Sequence, residues 1–219
     1  MAYSRPNTLK KVLEACEGIV KVKVVMDYPE NNLIAKQQEK ILDIINLFDF
    51  CDLRRRNSNY GLVKSVITTV TEELEENEHV IMLEDDCVPH KEFFDFMSAA
   101  LVTYTSSDEI STICGTRTRC RFNPWGWATW KHKWHYKHLS PKEILKIPEL
   151  DAELQNFLEN NEVEDSIWSL SWLAHQYANN CRALYPEINL INNIGLNDSG
   201  VHSATKGYTQ WLLSQIIVK

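Results

Sequence analysis

The chain has 219 residues, of which 44% are hydrophobic, and its formal net charge is −7. This length and composition are typical of one packed domain and exclude an intrinsically disordered chain. The negative charge argues against a nucleic-acid partner, because binding to a phosphate backbone requires a concentrated lysine and arginine surface. No apolar run reaches the roughly 20 residues of a membrane span, and the first residues lack a signal-peptide pattern. The sequence therefore predicts a cytoplasmic protein without a transmembrane segment, and leaves peripheral membrane contact and oligomeric state open.

Apolar residues recur at helical and strand spacings in alternation along the first half of the chain. In chain order the predicted elements are a helix at about 7–16, a strand at 19–26, helices at 35–48 and 61–75, a strand at 80–83, a helix at 89–104 and a strand at 110–114. Ser4 or Asn7 is expected near the cap of the first helix, since both side chains can accept from free backbone N–H groups. The alternation indicates an α/β fold with a mainly parallel central sheet flanked by helices.

Three consecutive acids, Glu84, Asp85 and Asp86, follow the apolar run at 80–83. If that run is a buried strand, the carboxylates emerge at its C-terminal end, where open α/β sheets bind ligands. Adjacent like charges repel, and a divalent cation such as Mn²⁺ or Mg²⁺ relieves that repulsion by sharing their oxygens. The spacing allows two interpretations: a metal site, or an acidic turn in which Asp86 caps the helix predicted near Pro89.

The second half of the chain changes character between residues 117 and 138, where aromatic and basic side chains dominate. Tryptophan faces suit the apolar face of a sugar ring, and the indole N–H can donate to a hydroxyl group. Trp125, Trp127 and Trp130 are therefore candidates for a wall that binds a sugar. The alternative is that these rings fill the core.

The six cysteines contain no C-x-x-C pair, which disfavours a zinc ribbon or a thioredoxin-type site. Most of them are expected to be reduced thiols in the core. A disulfide between Cys114 and Cys120 is the alternative in an oxidising compartment.

Several motifs together carry a family resemblance over nearly the whole chain. In order they are Ser4-Arg5-Pro6, Val25-Met26-Asp27, the stretch from Asn57 to Leu62, Leu83-Glu84-Asp85-Asp86, the tryptophan motif at 125–130, Asp165 before Trp168, and the stretch from Pro186 to His202. With these motifs the chain resembles the nucleotide-sugar glycosyltransferases of the GT-A fold, and specifically the bacterial proteins similar to the family 13 N-acetylglucosaminyltransferases. The resemblance implies a single domain over residues 1–219, with a nucleotide-sugar-binding half at about 1–115 and an acceptor-binding half at about 116–219.

The resemblance also implies a role for each matching position. Asp86 would coordinate the Mn²⁺ or Mg²⁺ that bridges the donor diphosphate, and His202 would contact the metal or the diphosphate. The residues implied to bind the nucleotide-sugar are Arg5, Asp27, Asn57, Glu84 and Asp85. Asp27 resembles the acid that accepts the imide N–H of uracil, and Arg5 resembles the arginine that closes on the nucleotide and diphosphate. Asp85 would lie near the ribose, and Glu84 near the donor sugar.

Glycosyl transfer also needs a base that activates the acceptor hydroxyl. The resemblance implies Asp165 as this base, with Glu164 as the alternative, and the expected outcome is inversion at the anomeric carbon. A different interpretation makes Asp165 the N-cap of the helix that contains Trp168 and Trp172.

The predicted function is therefore metal-dependent transfer of a sugar from a nucleotide-sugar, expected to be a UDP-sugar, to a hydroxyl of a glycan or glycolipid. The alternatives are a catalytically inactive relative that binds sugar or nucleotide, and a simple metal-binding interaction module. The chain departs from the family pattern in one respect, because only Met1-Ala2-Tyr3 precede Ser4 where the family has a full apolar strand. A missing or shortened first strand is expected, which would expose a sheet edge and weaken the nucleotide pocket.

Overall fold

A computed structural model describes residues 1–195 and 206–217. The helices are α1 (Pro6–Cys16), α2 (Asn32–Ile45), α3 (Gly61–Glu76), α4 (Phe93–Thr103), α5 (Pro141–Ile144), α6 (Ala152–Asn160), α7 (Trp168–Ala178) and α8 (Lys206–Gln215). The strands are β1 (Val22–Met26), β2 (Cys51–Arg55), β3 (His79–Met82), β4 (Cys87–Pro89), β5 (Ile110–Cys114), β6 (Trp127–Trp130), β7 (Arg182–Leu184) and β8 (Ile191–Asn193). The α/β architecture predicted from the alternating periodicity is confirmed.

The strands pair in both directions. β1 runs parallel to β2, with Val24 opposite Leu53. A four-stranded sheet has the order β3-β6-β5-β7, in which β6 is antiparallel to both neighbours and β5 is parallel to β7. β4 and β8 form a separate antiparallel pair that brings Cys87 opposite Asn193. This last pair is important for the site, because it places the segment after β8 against the residues that precede β4.

Helix α1 shows how local sequence and packing agree. Leu9, Val12, Leu13 and Cys16 recur on one face of the helix, and all four are buried. The helix begins after Arg5, whose side chain makes no capping bond, and Pro6 takes the first helical position, where its missing N–H costs nothing. Ser4 and Asn7 therefore lie near the cap, as expected, but the N-cap residue itself is Arg5.

Two other differences from the predicted elements have simple causes. The helix expected from residue 89 begins at Phe93, because residues 87–89 form β4. Strand β2 was not predicted, since its Cys-Asp-Leu-Arg-Arg sequence is partly exposed and lacks a clear apolar alternation. A polar composition of this kind is common where a strand lies at the edge of a sheet.

The residues before α1 contribute little regular structure. Ala2 forms an isolated parallel bridge with Met26, and its N–H donates to the carbonyl of Val25 at 2.9 Å. In the described part of the chain, no helix has the length and apolar character needed to cross a bilayer.

Candidate functional site

The three acids lie where the sequence predicts, in a turn directly after β3. The N–H of Cys87 donates to the carbonyl of Glu84 at 3.2 Å, and this bond closes the turn before β4 begins. Asp85 and Asp86 are only 4% and 5% exposed, and Glu84 is half-buried. Helix α4 has Glu92 as its N-cap residue, so the alternative in which Asp86 caps that helix is wrong.

Arg5 is the main partner of these carboxylates. One guanidinium nitrogen donates to Oδ2 of Asp86 at 2.6 Å, and the other contacts Oδ1 of Asp85. Burial by itself would lower the pKa of Arg5, but the carboxylates of Asp85 and Asp86 outweigh this effect and raise it. The planar fork of an arginine is well suited to bridging two carboxylates in this way.

Burial disfavours the ionised forms of Glu84 and Asp85, and the positive charge of Arg5 only partly offsets this effect. Burial and the charge of Asp86 both raise the pKa of Glu84 and Arg5 lowers it, with the net result that this pKa lies at about 8. Burial also raises the pKa of Asp85, although the N–H of Tyr3 donates to its Oδ2 at 3.3 Å. An additional cation in the turn would therefore stabilise the ionised forms of Glu84 and Asp85.

The donor atoms of this turn are spaced for a metal ion. One ligand atom from each of Glu84, Asp86 and Cys87 can be chosen so that all lie within 4.8 Å of one another. Burial raises the pKa of the Cys87 thiol well above its ordinary value, which makes the thiolate that would bind a metal costly to form. The two carboxylates, in contrast, are the hard oxygen ligands that Mg²⁺ and Mn²⁺ prefer, and the residues fit such an ion.

A second segment, directly after β8, completes the turn from the other side. The N–H of Ile194 donates to the carbonyl of Asp86 at 2.9 Å, and the N–H of Gly195 donates to the side chain of Asn193 at 2.9 Å. A Cβ on Gly195 would lie 1.9 Å from Oδ2 of Asp86 and 2.7 Å from Nη1 of Arg5. Only glycine leaves room for the contact between Arg5 and Asp86. Sequence reasoning missed this role, since Gly195 carries no functional group and lies far along the chain.

Asp27 is buried at the end of β1, and backbone groups already use its carboxylate. The N–H groups of Tyr28 and Tyr60 both donate to Oδ1 at 2.9 Å, and Tyr60 also approaches Oδ2 at 3.1 Å. These bonds fix the loop that leads into α3. Each carboxylate oxygen has two lone pairs, so a nucleobase N–H can still be accepted.

Asn57 is exposed on the same loop and lines a cavity of about 350 Å³. The other residues around this cavity are Arg54, Arg55, Arg56, Tyr60, Glu72, Glu75 and Glu76. Arg54 and Arg56 both donate to Glu72, at 3.0 and 2.8 Å, so their charges are largely matched within the protein.

The tryptophan motif has a different role from the one expected. Trp125, Trp127 and Trp130 are 9%, 2% and 2% exposed, so their faces are covered by protein. Trp127 packs edge-on against Phe122, and the indole N–H of Trp130 donates to the carbonyl of Leu101 at 3.0 Å. For Trp127 and Trp130 the physical reason is that β6 lies between β3 and β5 and is buried on both faces. Trp125 precedes β6 and packs in the core cluster that contains Phe93 and Ile191. The prediction of a sugar-binding wall at these three positions is therefore wrong, and the alternative of core packing is correct.

Asp165 and Glu164 lie together in the exposed segment between α6 and α7. The hydroxyl of Ser166 donates to Glu164 at 2.8 Å. The N-cap residue of α7 is Ile167, and the helix start receives no side-chain capping bond, so the capping interpretation of Asp165 is wrong.

His202 lies outside the described residues. All six cysteines are free, which excludes the disulfide between Cys114 and Cys120 in this structure.

No protein-family model matches the chain, and no curated protein sequence matches it either. Among solved structures, the chain resembles a mannosyltransferase from Pyrobaculum calidifontis in complex with GDP-Man and Mn²⁺. The TM-score is 0.52 at 12% sequence identity, and the alignment covers 98% of this chain. The chain has the GT-A fold. It spans 60% of the length of that mannosyltransferase, and at this identity the likeness shows the fold alone.

A second solved structure, apo UDP-glucose pyrophosphorylase, aligns with 95% of this chain and 86% of its own length. Its identity is 11% and its TM-score is 0.40, which is too low to carry an argument. The GT-A assignment therefore rests on the mannosyltransferase. A relationship to family 13 within the GT-A fold remains a prediction.

We expect Gly195→Ala to disturb the acid turn of this GT-A domain. The new methyl group must displace Asp86 or Arg5, and strain of this kind costs about 1–3 kcal/mol of folding stability. Because displacing a supporting group weakens metal sites, we also expect about 10–100-fold weaker Mn²⁺ binding by calorimetry. Gly207→Ala is the matched control, since its nearest atoms lie 3.9 and 4.0 Å from the added carbon. Wild-type affinity in Gly195→Ala would show that the close approach is unimportant.

The raised pKa of Glu84 predicts a pH dependence of stability in metal-free protein. Between its ordinary value of 4.5 and about 8, the folded state holds a proton on Glu84 that the unfolded state releases. The folded state then binds more protons, so this group makes folding less favourable as the pH rises through that window. Glu84→Gln keeps the protonated shape at every pH, and we expect its melting temperature to rise relative to wild type from pH 5 to pH 8 in EDTA. A difference independent of pH would contradict the assignment.

Proposed function

We propose that the chain is a metal-dependent glycosyltransferase that moves a sugar from a nucleotide-sugar, a UDP-sugar in our proposal, to a hydroxyl of a glycan or glycolipid. The observation that carries the proposal is the buried acid turn at the end of β3, where Arg5 bridges Asp85 and Asp86. Buried, closely spaced carboxylates lower the stability of a fold. Their presence here therefore favours a role in ligand binding. Their position at the carboxyl end of a strand in a GT-A domain supports a diphosphate ligand.

The metal would be held by Asp86, with Glu84 as a second carboxylate that has an oxygen within 4.8 Å. When bound, Mn²⁺ or Mg²⁺ neutralises negative charge on the leaving diphosphate as a Lewis acid. Arg5 already sits within bonding distance of Asp86. We propose that its guanidinium turns toward the diphosphate when a donor binds, because phosphate oxygens match its fork as well as carboxylates do.

The nucleotide would lie toward Asp27 and Asn57. Asp27 is fixed by the N–H groups of Tyr28 and Tyr60, so its carboxylate is preorganised to accept a base N–H. Uracil presents one such N–H and guanine presents two adjacent donors, so a carboxylate can accept from either. The similar mannosyltransferase was solved with GDP-Man, which makes a GDP-sugar the first competitor to the UDP-sugar proposed here.

The base in this proposal is Asp165, with Glu164 as the alternative. Both side chains are exposed and lie in the half of the chain assigned to the acceptor, so they are free to reach an acceptor hydroxyl. A base that takes the hydroxyl proton opposite the leaving diphosphate gives inversion at the anomeric carbon. His202 is proposed as a further contact to the diphosphate or the metal.

The test is a calorimetric titration of UDP, GDP and CMP with and without Mn²⁺, followed by a donor-hydrolysis assay with the corresponding sugars. We expect UDP to bind only when Mn²⁺ is present, and its sugar to be hydrolysed slowly without an acceptor. Binding without turnover of any donor would favour an inactive nucleotide-binding relative. Metal binding that is indifferent to all three nucleotides would overturn the proposed function and leave a metal-binding module.

A further inference from the structure

The outer edge of β2 carries backbone groups that have no strand beside them. β2 pairs with β1 on one side, and no other strand of the described residues pairs with it. The N–H of Arg56 donates to the carbonyl of Met26 at 3.0 Å, which fixes the alternation of backbone direction along the segment. Cys51, Leu53 and Arg55 therefore direct their backbone groups away from β1.

The side chains along this edge are accessible. Asp52 and Arg55 are exposed, and Leu53 is 38% exposed. Asp52 makes no ion pair with the described residues. Arg54 pairs with Glu72 at 3.0 Å, and its side chain is still 34% exposed. An uncovered strand edge of this kind can accept a further extended chain, and its order of charges decides which chain fits.

The sequence of β2 is complementary to itself in one antiparallel register. With Leu53 opposite Leu53 of a second copy, Asp52 of each copy lies opposite Arg54 of the other. Residues whose backbone groups face outward form the hydrogen-bonded pairs of such a ladder, and the opposite charges then occupy the closer, non-bonded positions. A shift by two residues in either direction would place Asp52 or Arg54 opposite its own copy, where like charges repel.

We propose that the outer edge of β2 is a homodimer interface, in which the β2 strands of two copies pair antiparallel about a two-fold axis through Leu53. The two β1-β2 pairs would then join into one sheet. Since the N–H of Cys51 already donates to the carbonyl of Phe48 at 3.2 Å, the expected bonds join Leu53 to Leu53 and the N–H of Arg55 to the carbonyl of Cys51. Such an interface uses the same patch on both copies, so the assembly closes at the dimer.

The expected dimer is weak, because only the five residues of β2 form the ladder. Standard interfaces bury about 1,600 Å² and smaller ones are typical of transient complexes, so we expect a dissociation constant of about 10–100 μM. Sedimentation velocity over a concentration series that spans this range measures it. A chain that stays monomeric over the whole series would overturn the proposal.

Two charge-reversed variants test the register. Asp52→Lys places lysine opposite Arg54 of the other copy, and Arg54→Glu places glutamate opposite Asp52. We expect each variant alone to dimerise about tenfold more weakly than wild type, or worse. An equimolar mixture restores both opposite-charge pairs in a heterodimer, which we expect to form with about wild-type affinity. Glu159→Lys, at an exposed acid of α6, is the matched control and should dimerise like wild type.

Leu53→Pro tests the backbone bonds independently of charge. The N–H that proline removes points away from β1, and proline is tolerated at such edge positions, so the melting curve should remain native. Leu53→Val keeps this N–H and is the matched control. We expect the proline variant to be monomeric where the valine variant is dimeric, and the Leu53 amide of wild type to exchange more slowly as the concentration rises.

The outcomes separate this interface from any other. A dimer that persists unchanged in both Asp52→Lys and Leu53→Pro would place the interface elsewhere and overturn the proposal. Arg54→Glu also loses the pair with Glu72, so a variant without a native melting curve leaves the decision to Asp52→Lys and Leu53→Pro. Failure of a folded Arg54→Glu to restore the dimer with Asp52→Lys would overturn the proposed register.

Discussion

Replacing Asp86 by alanine is expected to remove metal-dependent nucleotide binding. Asp86 is 5% exposed and is the acid that both Arg5 and the proposed metal site use. Since loss of groups that merely support a ligand costs 10–100-fold in metal affinity, loss of the ligand itself should cost at least about 100-fold. The measurement is calorimetric titration of UDP in the presence of Mn²⁺.

The fold should survive this change. Arg5 keeps its contact with Asp85, and removal of Asp86 relieves its repulsion with Glu84. Asp86→Asn provides a variant of the same shape that lacks only the charge, and Asp43→Ala, an exposed acid of α2, is the matched control. Wild-type UDP affinity in Asp86→Ala with a native melting curve would refute the metal assignment.

Replacing Asp165 by asparagine should instead spare binding and abolish most of the transfer. The side chain is exposed and does not cap α7, so the substitution changes neither packing nor a helix terminus. Without a proton acceptor, we expect the transfer rate to fall by roughly two to four orders of magnitude, the usual size of a general-base contribution. The measurement is product formation at saturating donor, together with UDP and Mn²⁺ affinity.

Glu164→Gln is the matched control for this experiment, because it alters the neighbouring acid in the same exposed segment. Among the described residues, its side-chain partner is the hydroxyl of Ser166, and an amide oxygen can also accept this hydrogen bond. Retained transfer in Asp165→Asn combined with a large loss in Glu164→Gln would move the base to Glu164. Retained transfer in both variants would remove this segment from the proposed mechanism.

The sequence predicts the first half of the fold well because its signals are local. The helical spacing of apolar residues predicts α1, and the short apolar run before Glu84 predicts β3. Each of these patterns lies within a single element. The position of the acid turn follows from the strand that precedes it. Such patterns require no knowledge of which elements are neighbours.

The features that the sequence left open or missed depend on contacts between distant parts of the chain. Sequence reasoning left open whether Trp127 and Trp130 bind sugar or fill the core, because their burial is decided by the position of β6 between two other strands. Gly195 matters only because β8 pairs with β4, which places it against Asp86. Arg5 was matched through a family resemblance, but its bridge between two carboxylates could not be read from its position in the sequence.

The acid turn is assembled from three stretches that are remote in sequence. Arg5 and Asp86 are 81 positions apart, and Cys87 and Asn193 are 106 positions apart. Contacts of such long range form late, since the loop between them must close before they gain anything. During synthesis, the segment after β8 leaves the ribosome well after the carboxylates do, so a nascent chain carries the acids before it carries their enclosure. Capture of a divalent cation by this turn would therefore mark the completion of folding rather than guide its early steps.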